Sequence, residues 1–142
     1  MQKRMNDVYK LSEYLNIVNV LLEYYSFSSL FKVEVTAMLL FNQIKTNMEL
    51  RKTSIPMMSA FLNEFHSIVL SNYMDFVYIS KAIRINEING SISINDDVIV
   101  KNKKLEIAEF NEYFKKENII EIMNEINSMS IRSFIQEVIS NV

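Results

Sequence analysis

Asn89-Gly90-Ser91-Ile92-Ser93-Ile94-Asn95-Asp96-Asp97-Val98-Ile99-Val100-Lys101 is the stretch on which the architecture turns. It holds the only glycine of the chain. An Asn-Gly pair suits positive φ, and glycine is the usual residue just past a helix end. Ser91–Ile94 then alternates with period two, and Val98-Ile99-Val100-Lys101 is β-branched. Asn95-Asp96-Asp97 between them is a turn cluster, so residues 91–101 predict a β-hairpin with a three-residue loop. A lone hairpin is marginal in water, so this one must pack on helices.

Those helices are predicted on both sides. Upstream, residues 80–88 carry Ala82, Ile83, Ile85 and Ile88, and a separate helix covers about 66–79. Thr53-Ser54-Ile55-Pro56 opens another that runs to about Phe65, with Ser54 as cap and Pro56 in the first turn, where a missing amide hydrogen costs little. Phe31, Val33 and Val35 alternate like a strand, yet Leu30, Val33, Ala37, Leu40 and Ile44 continue a helical spacing for longer, which predicts a helix over 32–47. Residues 27–31 connect it to a first helix over 7–26, where Val8, Leu11, Leu15, Val18, Leu22 and Tyr25 share a face and Asn6 or Asp7 supplies the cap. Ile17, Val20, Leu21 and Tyr24 widen its apolar stripe, as in a helix buried against several neighbours. Downstream, Asn102-Lys103-Lys104 leads into helices over 105–117 and 119–127, and a last one over Ser130–Ser140.

The expected fold is therefore mainly α. A helical core (1–104) carries a winged-helix-like hairpin, since helix, helix, hairpin is the order of a winged-helix domain, an analogy of pattern. A helical tail (105–142) packs on the core or on a partner, with 101–104 as the candidate hinge.

Composition narrows the function. A chain of 142 residues, 49% apolar and 23% charged, makes one domain with an ordinary core. No cysteine means no disulfide, thiolate metal site or Cys nucleophile, and suits a reducing cytosol. One glycine is too few for a phosphate-cradling loop. A net charge of −2 sets up no general basic field for nucleic acid. The charged start and the interruptions at Glu13 and Glu23 do not read as a signal peptide. Uncharged stretches such as 35–44 and 65–74 are about ten residues, against about 20 for a membrane span. A cytoplasmic protein away from the membrane is expected.

Residues capable of chemistry do not converge in the sequence. His66 is the sole histidine; zinc takes three or four ligands and a triad needs three positioned groups, so it reads as structural. Asp96 and Asp97 read as turn chemistry rather than a cation site. Glu106, Glu109, Glu112, Glu117, Glu121 and Glu125 form either an acidic binding face or, the favoured reading, a solvated helical face. No catalytic, cofactor or metal residue is assigned, and no enzyme is expected. Lys81 and Arg84, with Lys101, Lys103 and Lys104 after the hairpin, make a small basic surface that a winged helix would turn toward phosphates. The apolar content, dense around Met57-Met58, Phe61, Phe65, Tyr73 and Phe76, exceeds what a small monomer readily hides, and an exposed apolar patch is a partner site. Tyr73, Phe76, Ile131, Phe134 and Ile135 are the candidate contacts.

Several segments recur in a familiar order. An apolar helix, Leu15–Tyr25, precedes a second, Val33–Ile44, which passes into polar Thr46–Lys52. Thr53-Ser54-Ile55-Pro56 opens a helix ending Leu62-Asn63-Glu64-Phe65. Ile79-Ser80-Lys81-Ala82-Ile83 leads to Asn89-Gly90 and the strand Ser91–Ile94, and Ser130-Ile131 starts a last helix. Over roughly residues 14–142 this order resembles the middle component of ABC-type three-component systems, related to the small accessory subunit of Lamassu-type antiviral defence systems. The resemblance implies a non-catalytic accessory subunit without a cofactor. It would bridge an SMC- or Rad50-like ABC ATPase and an effector, often nuclease-type, while the complex inspects phage or plasmid DNA, touching that DNA mostly through the complex. The alternative is a winged-helix DNA-binding transcriptional regulator.

Overall fold

Helix α1 (Gln2–Tyr24) packs against α2 (Leu30–Thr46) and α5 (Asp75–Ile88) to form the centre of the molecule in the computed structural model, which describes residues 2–46 and 57–140. Around them lie α3 (Met57–Asn63), α4 (Phe65–Asn72), the antiparallel hairpin β1 (Ile92–Asn95) and β2 (Val98–Lys101), a 3₁₀ turn (Glu112–Lys115), α6 (Glu117–Ser128) and α7 (Ile131–Ile139). The fold is mainly α with a two-stranded hairpin, as expected. Val33 and every residue from Val35 to Phe41 is buried, which explains why the strand-like alternation at the start of α2 gives way to helix: both faces of this element meet the core. The cap expected at Ser54 and Pro56 lies outside the described residues.

Three boundaries depart from expectation. Asn6 and Asp7 sit inside α1 rather than capping it, and Asp7 instead accepts a hydrogen bond from the Tyr78 hydroxyl. The stretch after Pro56 breaks at Glu64 and at Tyr73–Met74, not after residue 79. At the second break the amides of Phe76 and Val77 bond the carbonyls of Tyr73 and Met74 at 3.3 and 3.0 Å, a tight three-residue step. Ile79 is fully buried in mid-helix, so apolar packing runs straight through the boundary expected there. The third departure follows the hairpin, where the helix expected over 105–117 is replaced by an irregular stretch, 105–111, and the 3₁₀ turn.

The hairpin loop is two residues, not three. Asn95 pairs with Val98, and Asp96 takes positive φ (57°). The reason for the tight loop is Asp97. Its carboxylate accepts from the Ser29 hydroxyl (2.7 Å) and the Phe31 amide (3.1 Å), and its carbonyl accepts from the Leu30 amide (2.8 Å). It thus caps the N-terminus of α2 from across the fold, where a negative charge also suits the helix dipole. Ser29 bridges to Val98, so the α1–α2 connection lies along β2 as a rudimentary third strand. Gly90 (φ 79°) ends α5 as expected, with Ser91 and Gly90 amides bonded to the Asn86 and Glu87 carbonyls at 2.9 and 3.1 Å, a Schellman arrangement.

This irregular strap is held by α1. The Asn16 side chain donates to the Glu109 carbonyl (2.7 Å) and accepts from the Ala108 and Glu109 amides (2.9 and 3.0 Å). Asn19 donates to the Glu106 carbonyl (2.7 Å), and Glu23 accepts from the Leu105 amide (3.4 Å). Residues 16, 19 and 23 share one helix face, so they replace the bonds that a helix over 105–111 would have made. In Asn16→Ala we expect the amides of Ala108 and Glu109 to lose hydrogen-exchange protection while those of β1 and β2 keep theirs.

The segment 105–138 shares the core with residues 14–99: Leu105, Phe114, Ile119, Met123, Ile126 and Phe134 belong to the same buried cluster as Val18, Leu39 and Phe61. Polar ties complete the docking. The buried Lys32 ammonium donates to the carbonyls of Asn127 and Met129 at the end of α6, and His66 Nε2 lies 3.0 Å from the Val138 carbonyl. His66 thus has a structural partner. Lys101 bonds Glu23 (2.8 Å), Asn102 bonds Ser93 (2.8 Å), and Lys103 donates to the Asn89 carbonyl (2.9 Å), so 101–104 is held on the surface of the hairpin and α1.

Candidate functional site

The outward face of α5 carries a shallow surface depression. The helix buries Asp75, Ile79, Ala82, Ile83 and Asn86 and leaves Val77, Ser80, Lys81, Arg84 and Ile88 exposed. Phe76, half-buried, packs edge-on against Phe65 (centroids 6.2 Å apart) and joins Val77, Ser80, Lys81 and Arg84 around a shallow depression of about 410 Å³. At the α4–α5 corner Leu70, Tyr73 and Met74 are 81%, 65% and 55% exposed. The structure therefore brings three of the expected residues together around the depression, Phe76 from the protein-contact set and Lys81 and Arg84 from the DNA-contact set, with Tyr73 exposed at the corner before α5.

The other expected residues do not join them. Lys103 and Lys104 line a different, larger cleft, about 1120 Å³, between α1, the end of α5 and the strap, with Asn16, Asn19 and Asn86 among its walls. Lys101 is committed to Glu23, and this hydrogen bond holds the Glu23 carboxyl below its ordinary pKa. The five cations thus make no single basic patch. On α7, Phe134 is fully buried and packs edge-on against Phe31 at 5.6 Å. Its expected role as a partner contact is corrected: it belongs to the core, and the neighbours facing solvent are Ile131, Ile135 and Ile139.

Composition and spacing did not reveal the polar network between α1 and α5. Tyr14 donates to Asp75 Oδ2 at 2.6 Å, Lys10 bonds Asp75 Oδ1 at 3.0 Å, and Lys10 lies 5.9 Å from the centre of the Tyr78 ring, whose hydroxyl meets Asp7. Tyr14 is fully buried and stacks on Phe41 with centroids 4.4 Å apart. Burial, with the Asp75 carboxylate beside it, pushes its hydroxyl pKa far above the ordinary range. The phenol is thus fixed as a hydrogen-bond donor, and the network positions two helices. Elsewhere burial lowers the Lys32 pKa and raises that of Glu34, with the Asp97 charge adding to the latter. No group of three or more His, Cys, Asp or Glu suited to a metal occurs among the described residues, and no described helix is long and apolar enough to cross a membrane.

Comparison of the chain with family models, with curated proteins and with solved structures finds no match in any of the three.

Proposed function

We propose that this chain is a non-catalytic adaptor that binds other protein subunits. Following the sequence resemblance, those subunits are an SMC- or Rad50-like ABC ATPase and an effector of a cytoplasmic anti-phage, anti-plasmid complex. The observation that carries the adaptor reading is the α4–α5 corner. Three large apolar side chains within five residues, Leu70, Tyr73 and Met74, are each more than half exposed. Burying such a side chain is worth about 1.5–3 kcal/mol, a standing driving force for association. Tyr73 also has the amphipathic character favoured at interfaces.

The DNA-binding alternative has one observation in its favour. Lys81 and Arg84 stand exposed and without an ion pair among the described residues, on the helix that precedes the hairpin. Against it, the exposed hairpin tip carries Asp96, which would meet phosphate with the wrong sign. One experiment separates the readings. The chain is co-expressed with the products of its neighbouring genes and chromatographed, alone and as Leu70→Glu/Tyr73→Glu. We expect the native chain to co-elute with the ATPase and the variant not to. A chain that passes by every neighbour, but retards a DNA duplex with steep salt dependence that Lys81→Glu abolishes, would reverse the conclusion.

A further inference from the structure

The row of glutamates on α6 has no ion-pair partner among the described residues. Glu117, Glu121 and Glu125 recur every fourth residue on the exposed face, and none forms an ion pair with a described residue. Like charges at this spacing repel and mildly destabilise a helix. Between them Ile120 is 38% exposed, while Ile119, Ile122, Met123 and Ile126 hold the opposite face in the core. The α6 surface is thus an acidic stripe with an apolar centre.

The outward face of α5 is its complement. Lys81 and Arg84 lie one turn apart, and neither is paired with a described carboxylate. Beside them the half-buried Phe76 and the exposed Val77 supply an apolar floor. The two helices carry opposite charges, and each sets an apolar side chain beside them.

We infer that α5 of one copy of this chain docks on α6 of a second copy, with Lys81 and Arg84 set among Glu117, Glu121 and Glu125, and Val77 against Ile120. The two surfaces differ, so the contact is head-to-tail. A docked pair keeps one free face of each kind, α6 on the first copy and α5 on the second, so association closes into a ring or extends as a filament. The contact is exposed and charge-rich, which makes it rapid and salt-sensitive. It uses the middle of α5, whereas the adaptor reading rests on Leu70, Tyr73 and Met74.

Sedimentation velocity over a concentration series tests this with the full chain. Association is expected at about 0.01 M salt, where the screening length is about 30 Å, and should collapse near 1 M, where it is about 3 Å. Lys81→Glu/Arg84→Glu and Glu117→Lys/Glu121→Lys, all exposed positions, should each weaken self-association by about tenfold or more. An equimolar mixture of the two variants should recover it, because each then presents the face that the other needs. The milder Lys81→Gln/Arg84→Gln should weaken it without adding charge repulsion. A wild-type monomer at both salts, a reversal that leaves association unchanged, or a mixture that fails to recover overturns the inference. Co-elution with neighbouring gene products is read separately on the Leu70 and Tyr73 variant, so either result stands without the other.

Discussion

Phe134→Ala lowers stability by about 3–5 kcal/mol, the cost of removing a fully buried aromatic side chain and leaving a cavity. Ile135→Ala, one residue on and 37% exposed, costs under about 1 kcal/mol. Chemical denaturation of both variants gives the comparison directly. The contrast matters because Phe134 closes the contact between the last helix and α2, through Phe31. Equal costs at the two positions would mean that α7 does not dock as described. If the adaptor reading holds, Ile135→Glu is the variant that probes a partner from this helix, since Phe134→Ala disturbs the fold itself.

That pair of residues also shows where the sequence is ambiguous. Helix α7 carries apolar side chains on two faces, with Phe134 and Val138 inward and Ile131, Ile135 and Ile139 outward. Periodicity marks both stripes, and only the position of the neighbouring helices selects one. The hairpin was legible because its cues are local: Gly90, the alternation of Ser91–Ile94 and the β-branched run after it. Its loop length was not, because Asp97 is drawn into the turn by the N-terminus of α2, some 66 residues away in sequence. The strap over 105–111 misled for a related reason. Leu105, Ile107 and Phe110 have near-helical spacing, yet the backbone between them, at Glu106, Ala108 and Glu109, is claimed by Asn16 and Asn19 of α1. Asn16, Asn19 and Glu23 at three- and four-residue steps along an otherwise apolar helix were the available cue. Of the candidate surface, Tyr73 and Phe76 stood out in the sequence as aromatics, and Lys81 and Arg84 as cations on the helix before the hairpin. The cations of 101–104 were not separable from them until Lys101 was seen to be held by Glu23.

The α1–α5 network supplies the second large effect. Asp75→Ala is expected to cost about 2–4 kcal/mol, mainly through Tyr14. A buried hydroxyl left without its acceptor costs about 1–3 kcal/mol. Lys10 contributes less, about 0.2–1 kcal/mol, because its side chain remains over a quarter exposed and turns to water. Loss of an acidic residue from the first turn of α5 adds a few tenths through the helix dipole. Tyr14→Phe alone removes the donor and leaves the Asp75 carboxylate, 4% exposed, with Lys10 as its remaining side-chain partner. The double variant should therefore cost less than the sum of the two, since removing both ends leaves no orphaned group. A denaturant midpoint measured for all four proteins closes this cycle. Additive costs would show that Tyr14 and Asp75 act independently, and that their hydrogen bond adds nothing to the other contacts between α1 and α5.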